Sequence, residues 1–249
     1  MDDLSAETIT MTDEHTDRPR DLVAIIPCFN AGDRVRPVVE AVLQQLDHVI
    51  VVDDGSTDDS ITSLVDLPVE IIRIPQNRGK GHSLLAGFEA ALANPEVACV
   101  CALDADGQHD PAELPRLYAA FQEAQADLVI GSRVFEGEHI PWRSRFGNKV
   151  TITVTALLLR HKLPDTQSGY RLLSRPFTES VLKTVSGGRY ETEMEIIVKA
   201  IREGWKAVPV PIRTIYETGN ASSHFRKFHD SFRIYARLLR AAWFSRKSR

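Results

Sequence analysis

The feature that most constrains the fold is an alternation of short, β-branched apolar runs with amphipathic stretches of helical period. Leu22–Ile26, Val49–Val52, Val69–Ile74, Val97–Leu103 and Leu128–Ile130 read as buried strands. Between them Val35–Leu46, Ser60–Val65, His82–Ala93 and Ala112–Ala124 read as helices, with Asp33 placed to cap the first and Pro111 suited to the first turn of the last. Strands and helices in this order predict an α/β fold, a mainly parallel sheet covered on both faces. The second half is less regular: a helix over Trp142–His161, a strand at Tyr170–Leu173, a helix over Glu191–Glu203 and a strand at Ala207–Ile212. Without internal repeats or linkers, one domain is expected over residues 21–225. A disordered acidic arm (1–20) precedes it, and a basic amphipathic C-terminal helix (226–249) follows.

In open parallel sheets, ligands gather at the carboxyl ends of the strands. Here those ends carry Pro27-Cys28-Phe29-Asn30, Asp53-Asp54-Gly55-Ser56, Asp104-Ala105-Asp106 and Gly131-Ser132-Arg133. Asp104 and Asp106, with Gln108 close behind, offer hard oxygen ligands suited to Mg²⁺ or Mn²⁺, which can bridge a pyrophosphate. An isolated Asp-x-Asp is more often a solvated acidic turn; its company here favours the metal. Asp54 can accept from a base N–H or a ribose hydroxyl, and Gly55 permits a tight turn. A plain helix start, capped by Thr57 or Asp58, would use the same residue types. Asn77-Arg78-Gly79-Lys80-Gly81 is a basic loop before a helix, with Lys80 a phosphate neighbour. It lacks the spacing and the terminal Lys-Ser/Thr of a P-loop, and no G-x-G-x-x-G follows the first strand.

As an ordered set, Ile26–Asn30, Val52–Ser56, Asn77–Gly81, Asp104–Gln108 and Gly131–Arg133 resemble the family 2 glycosyltransferases of GT-A fold. Asp165-Thr166-Gln167-Ser168-Gly169-Tyr170-Arg171 looks like the polyprenyl-phosphate hexosyltransferase branch, which includes the dolichyl-phosphate mannose synthases. The resemblance implies that Pro27, Phe29, Asp54, Lys80 and Ala105 contact the nucleotide-sugar donor. It makes Asp104, Asp106 and Gln108 ligands of the metal and diphosphate. The catalytic set it implies is Asp104, Asp106, Arg133, Asp165 and Gln167, with Ser168, Glu193 and Glu195 on the acceptor side. Within Glu191–Glu195, alternate residues of one helix cannot all face one way, so at least one glutamate is expected to be solvated. The chain departs from the family at Phe29 and Ala31, where Tyr and Glu are frequent. It departs again at Ser222-Ser223-His224-Phe225, where His224 replaces a Ser-Lys pair as the donor contact.

The same resemblance implies inversion at the anomeric carbon and a polyprenyl phosphate, or another lipid-linked molecule, as acceptor. A phosphate monoester is anionic near neutral pH and needs no strong protein base. A hydroxyl of an envelope glycan or lipid would need one, for which Asp165 and Glu193 are the candidates. A non-catalytic nucleotide-sugar-binding protein is the reading from another class, opposed by the intact Asp104, Asp106 and Gln108.

Charge adds a partner. The formal net charge is -4, which gives no general attraction to nucleic acid. Yet from Phe225 onward there are eight Lys or Arg and one acid, Asp230. Phe225, Phe228, Phe232, Tyr235, Leu239 and Ala242 line one face of this helix, a pattern for lying on an anionic membrane surface or on the protein's own core. No apolar run approaches the ~18–20 residues of a bilayer span, and the first twenty lack a signal peptide's apolar core. The expectation is a cytoplasmic protein, peripheral at the inner face of the cell membrane. Cys28, Cys99 and Cys101 read as small buried hydrophobes in a reducing compartment, the last two on one face of a strand.

Overall fold

A computed structural model of the chain describes residues 18–133, 165, 168–189, 191–213 and 215. The expected helix over Trp142–His161, the C-terminal helix, Gln167 and His224 lie outside the described residues, as does most of the N-terminal arm. Seven strands, β1 (Leu22–Cys28), β2 (Val49–Asp53), β3 (Glu70–Arg73), β4 (Cys99–Ala102), β5 (Leu128–Arg133), β6 (Arg171–Ser174) and β7 (Ala207–Ile212), form one sheet in the order β3-β2-β1-β4-β6-β5-β7. Among the described strands only β6 runs antiparallel, wedged between β4 and β5; the other pairings are parallel.

Among the described residues five helices cover the sheet: α1 (Val35–Leu43), α2 (Lys80–Leu92), α3 (Leu114–Ala124), α4 (Arg175–Thr184) and α5 (Glu191–Glu203). The period-two side-chain rule sorts the core into two layers. Ala24, Ile26, Val49, Val51, Cys99 and Cys101 face α1 and α3, whose Val35, Val39, Val42, Leu114 and Leu117 cover them. Val23, Ile25, Ile50, Val52, Val100 and Ala102 face α2, α4 and α5, which bring Leu84, Phe88, Phe177, Val181, Ile196 and Ile197. Each fully buried aliphatic or Phe side chain contributes about 1.5–3 kcal/mol. All three cysteines are buried and free, and Cys99 and Cys101 share the first layer as their spacing predicts.

Several local expectations shift. Ser60–Val65 forms only a 3-10 turn, Thr62–Leu64, because six residues are too few to offset helix nucleation. Asp33 does not cap α1; it sits inside a 3-10 turn, Gly32–Arg34, that leads into the helix. Pro111 does open the segment that becomes α3, with Asp110 accepting from the Ala112 N–H at 3.0 Å. The additional helix α4 starts at Ser174, whose Oγ accepts from Phe177 N–H at 3.3 Å with Pro176 in the first turn.

Proline placement fits the sheet. Pro27 sits in the central strand β1 but beyond the four residues that pair with β4. Pro209 and Pro211 lie two apart in β7, which among the described residues pairs with β5 alone, so their missing N–H groups fall on an edge. Every polar strand end noted in the sequence is thereby delivered to one edge of the sheet.

Candidate active site

The loops after β1 and β2 are laced together. Asn30, in the left-handed region at φ 48°, accepts from Thr57 N–H at 2.8 Å, and its own N–H donates to Ser56 Oγ at 3.1 Å. Asp58 and Ser60 take the Gly32 N–H at 2.9 and 2.8 Å. Ala31, at the position where the resemblance expects Glu, packs into the first core layer. Pro27 is buried in β1, and Phe29 is half-buried at its end.

Asp54 is buried, and its two oxygens accept from the N–H groups of Arg78 and Gly79, both at 2.8 Å. It therefore fixes the basic loop that opens α2. Gly55 is required there: its φ is +76°, and a Cβ would stand 2.9 Å from the backbone nitrogen of Asn77.

That loop delivers Lys80 to the acidic strand end. Its ammonium pairs with Asp104 Oδ1 and, at 3.0 Å, with Glu193 Oε1 from the first turn of α5. Burial alone would lift the Asp104 carboxyl, but Lys80 and then His109 outweigh it and hold its pKa below the ordinary value. Asp106 goes the other way. Burial first, and the neighbouring Asp104 charge second, push it up to about 6. Its Oδ1 accepts from Gln108 N–H at 3.0 Å, while Ala105, between the two aspartates, turns into the core.

The residue donors fit a hard divalent cation. Asp104 and Asp106, two residues apart after β4, offer carboxylate oxygens, and burial together with the Asp104 charge holds the Asp106 carboxyl back from ionising until a cation arrives. Among the described residues no set of three or more His, Cys, Asp and Glu is assembled for a metal. A cation here would take one or two carboxylates and complete its shell with phosphate and water, the habit of Mg²⁺.

Gly169 lies directly on this centre, and Asp165 is held nearby. Asp165, with no exposed surface, forms a forked pair with Arg133 at the end of β5: Nε to Oδ2 2.7 Å and Nη2 to Oδ1 3.1 Å. Gly169 abuts Asp104, since a Cβ on it would fall 2.3 Å from Asp104 Oδ2. Gly169→Ala is expected to push that carboxylate aside, lowering transfer on the order of 10²-fold. Its melting temperature should stay within a few degrees of wild type, because the displaced atoms end a side chain. A large loss of stability with normal specific activity would refute this.

Sequence reasoning missed two residues. Arg171 is fully buried and donates to Ser168 O at 2.9 Å and Glu193 O at 2.5 Å, tying the stretch before β6 to α5. Burial outweighs its carboxylate neighbours and lowers its pKa. His109 packs on Tyr170, ring centroids 5.7 Å apart, and its Nδ1 has no partner among the described residues. Its adjacency to Gln108 was the signal for it. Burial pushes its pKa down to about 4, against the pull of Asp104. The folded state therefore keeps His109 neutral while the unfolded chain protonates below about pH 6.5. Stability held above that pH is lost as pH falls toward 4, by up to about 3 kcal/mol. His109→Phe should flatten the metal-free denaturation profile between pH 6.5 and 4; an unchanged slope would assign the effect elsewhere.

The glutamates depart from expectation. Glu191 and Glu193 are buried and Glu195 is half-buried. The first turn of α5 is covered on two sides, by Lys80 against Glu193 and by Gly188, whose Cβ would meet Glu191 Oε1 at 2.8 Å. Beyond β7 the chain crosses the site: Ile215 N–H donates to Gln108 O at 2.9 Å.

The chain is similar to known proteins. The family described as "Glycosyl transferase family 2" matches residues 23–182. Polyprenol monophosphomannose synthase of Mycolicibacterium smegmatis is 35% identical over 214 residues, covering 80% of each chain. A UDP-N-acetylglucosamine–dolichyl-phosphate N-acetylglucosaminyltransferase of Methanococcus voltae is 28% identical, covering 86% of this chain and 93% of its own. Among solved structures, glucosyl-3-phosphoglycerate synthase of Mycobacterium tuberculosis, in complex with Mn²⁺, UDP and its product, superposes with a TM-score of 0.68 at 18% identity, over 90% of this chain and 80% of the other. That likeness identifies the fold as GT-A. The chain belongs to glycosyltransferase family 2, in the branch of the polyprenyl- and dolichyl-phosphate enzymes.

Proposed function

We propose that this enzyme is an inverting, divalent-metal-dependent hexosyltransferase that moves a sugar from a nucleotide donor to a polyprenyl phosphate. The observation that carries the reading is the contact of Gly169 with the Asp104 carboxylate, together with the pairing of Arg133 with Asp165 four residues earlier in the same motif. The relatives named for polyprenol and dolichyl phosphate support that acceptor, and their names differ in the sugar, mannose in one and N-acetylglucosamine in the other.

In this reading Asp54 shapes the donor pocket by fixing Arg78 and Gly79, Phe29 contacts the nucleoside, and the buried Pro27 and Ala105 contribute through their backbone. Asp104, Asp106 and Gln108 hold Mg²⁺ or Mn²⁺, which when bound neutralises charge on the departing diphosphate. Arg133 and Ser168 hold the acceptor phosphate in line with the anomeric carbon; the family resemblance adds Gln167 to the acceptor contacts and His224 to the donor contacts. The two carboxylates that a hydroxyl acceptor would need as base, Asp165 and Glu193, are both engaged by cations, Arg133 and Lys80. A phosphate acceptor needs neither, so orientation and charge stabilisation do the work.

No helix among the described residues is long and apolar enough to cross a membrane. The lipid acceptor and the basic, aromatic-striped stretch 226–249 support peripheral attachment to an anionic membrane surface, on the cytoplasmic side where nucleotide sugars are made. The test is incubation with GDP- and UDP-sugars, Mn²⁺ or Mg²⁺, and polyprenyl phosphate in anionic vesicles, read by mass spectrometry. A glycosyl-phosphoryl-polyprenol that disappears on chelation is expected. Transfer only to a hydroxyl acceptor would overturn the reading.

A further inference from the structure

Lys80 is held in an unusual position for a donor-phosphate contact. It is the first residue of α2, and its backbone is pinned: Asp54 grips the N–H groups of Arg78 and Gly79, and Gly81 N–H donates to Gly188 O at 2.9 Å. From that base its ammonium bridges two carboxylates from different elements, Asp104 after β4 and Glu193 on α5. All three side chains are largely withdrawn from water, with 17% of Lys80, 24% of Asp104 and 9% of Glu193 exposed. A divalent cation on Asp104 and an ammonium on the same oxygen would repel strongly at such a distance and in such surroundings.

We propose that Lys80 takes the metal's place on Asp104 in the donor-free protein and yields that carboxylate when metal and nucleoside diphosphate arrive together, so that the two bind as a coupled pair. Metal alone has to displace the lysine. Diphosphate alone meets the carboxylates. Together, the diphosphate gives the displaced ammonium an anionic partner, and the metal neutralises both Asp104 and the diphosphate. Glu193 keeps the lysine within reach through the exchange. The inference rests on the proposed metal site.

The test is Mn²⁺ binding to the full chain by electron paramagnetic resonance, with and without GDP or UDP. In wild type, the nucleotide that binds should tighten Mn²⁺ by about tenfold or more, and Mn²⁺ should tighten the nucleotide by the same factor. Lys80→Met should bind Mn²⁺ without nucleotide about tenfold more tightly than wild type, with the coupling correspondingly reduced. Glu193→Gln leaves Lys80 committed to Asp104 and should weaken nucleotide-free Mn²⁺ binding. Opposite signs from two changes in one cluster cannot come from general loosening of the fold. If wild type binds Mn²⁺ with nucleotide but Lys80→Met leaves metal-alone binding unchanged or weaker, this inference fails and the proposed function stands. If wild type binds no Mn²⁺ under either condition, both fail.

Discussion

Asp106→Asn is expected to lower sugar transfer on the order of 10³-fold or more, about 4 kcal/mol of transition-state stabilisation. The same change should leave the metal-free protein as stable as wild type, or raise its melting temperature. The two effects have one cause. Burial and the Asp104 charge raise the Asp106 pKa to about 6, so ionising it in the folded protein costs stability as pH rises above its unfolded value, and that cost is complete above pH 6. Asparagine removes the cost and keeps the oxygen that accepts from Gln108 N–H at 3.0 Å. It also removes a charge from the proposed hard-cation ligand set. Mn²⁺ with nucleotide should therefore raise the melting temperature of wild type and not of the variant. Metal-stimulated transfer within tenfold of wild type would remove Asp106 from the role proposed for it.

How much of this was legible beforehand follows from the range of the interactions concerned. The strand ends were readable because apolar runs stop abruptly at Asp53, Asp104 and Gly131, and a parallel sheet collects such ends on one edge. Local helix signals were readable where they were strong, as at Pro111, and overlooked at Ser174 and Pro176, which open α4. The insertion of β6 between β4 and β5 was not readable. It pairs Arg171 with Ala102 and Ile130, residues tens of positions away, and nothing in a four-residue apolar run specifies its direction. Site chemistry divides the same way. Asp104 and Asp106 declare themselves by spacing. That Lys80 meets Glu193, more than a hundred residues later, depends on where α5 docks. The burial of Glu191 and Glu193 escaped notice because helical periodicity assigns faces without telling which faces are covered.

Asp165→Asn tests the part of the site that joins the two halves of the sequence, and its effect on stability should be large. Asp165 has no exposed surface and Arg133 keeps only 17% of its own, so the variant leaves a guanidinium largely withdrawn from water opposite a neutral amide. Breaking one side of a buried pair typically costs about 3–5 kcal/mol, and the residual exposure of Arg133 together with the retained amide oxygen puts this case near the lower end. For a chain of this size that corresponds to a fall in melting temperature of roughly 6–12 °C. Transfer should also drop on the order of 10²-fold, because the fork that aims Arg133 is lost. The double variant Arg133→Met, Asp165→Leu separates the two contributions. Replacing both charges by apolar groups should recover part of the stability, because no guanidinium then faces a neutral amide; the bulk of leucine and the lost acceptor of the Arg133 N–H, at 3.3 Å in wild type, keep the recovery incomplete. It should recover none of the transfer, because the proposed acceptor-phosphate contact is gone. Near wild-type transfer by the double variant would make the Arg133–Asp165 pair a structural strut and move acceptor recognition elsewhere.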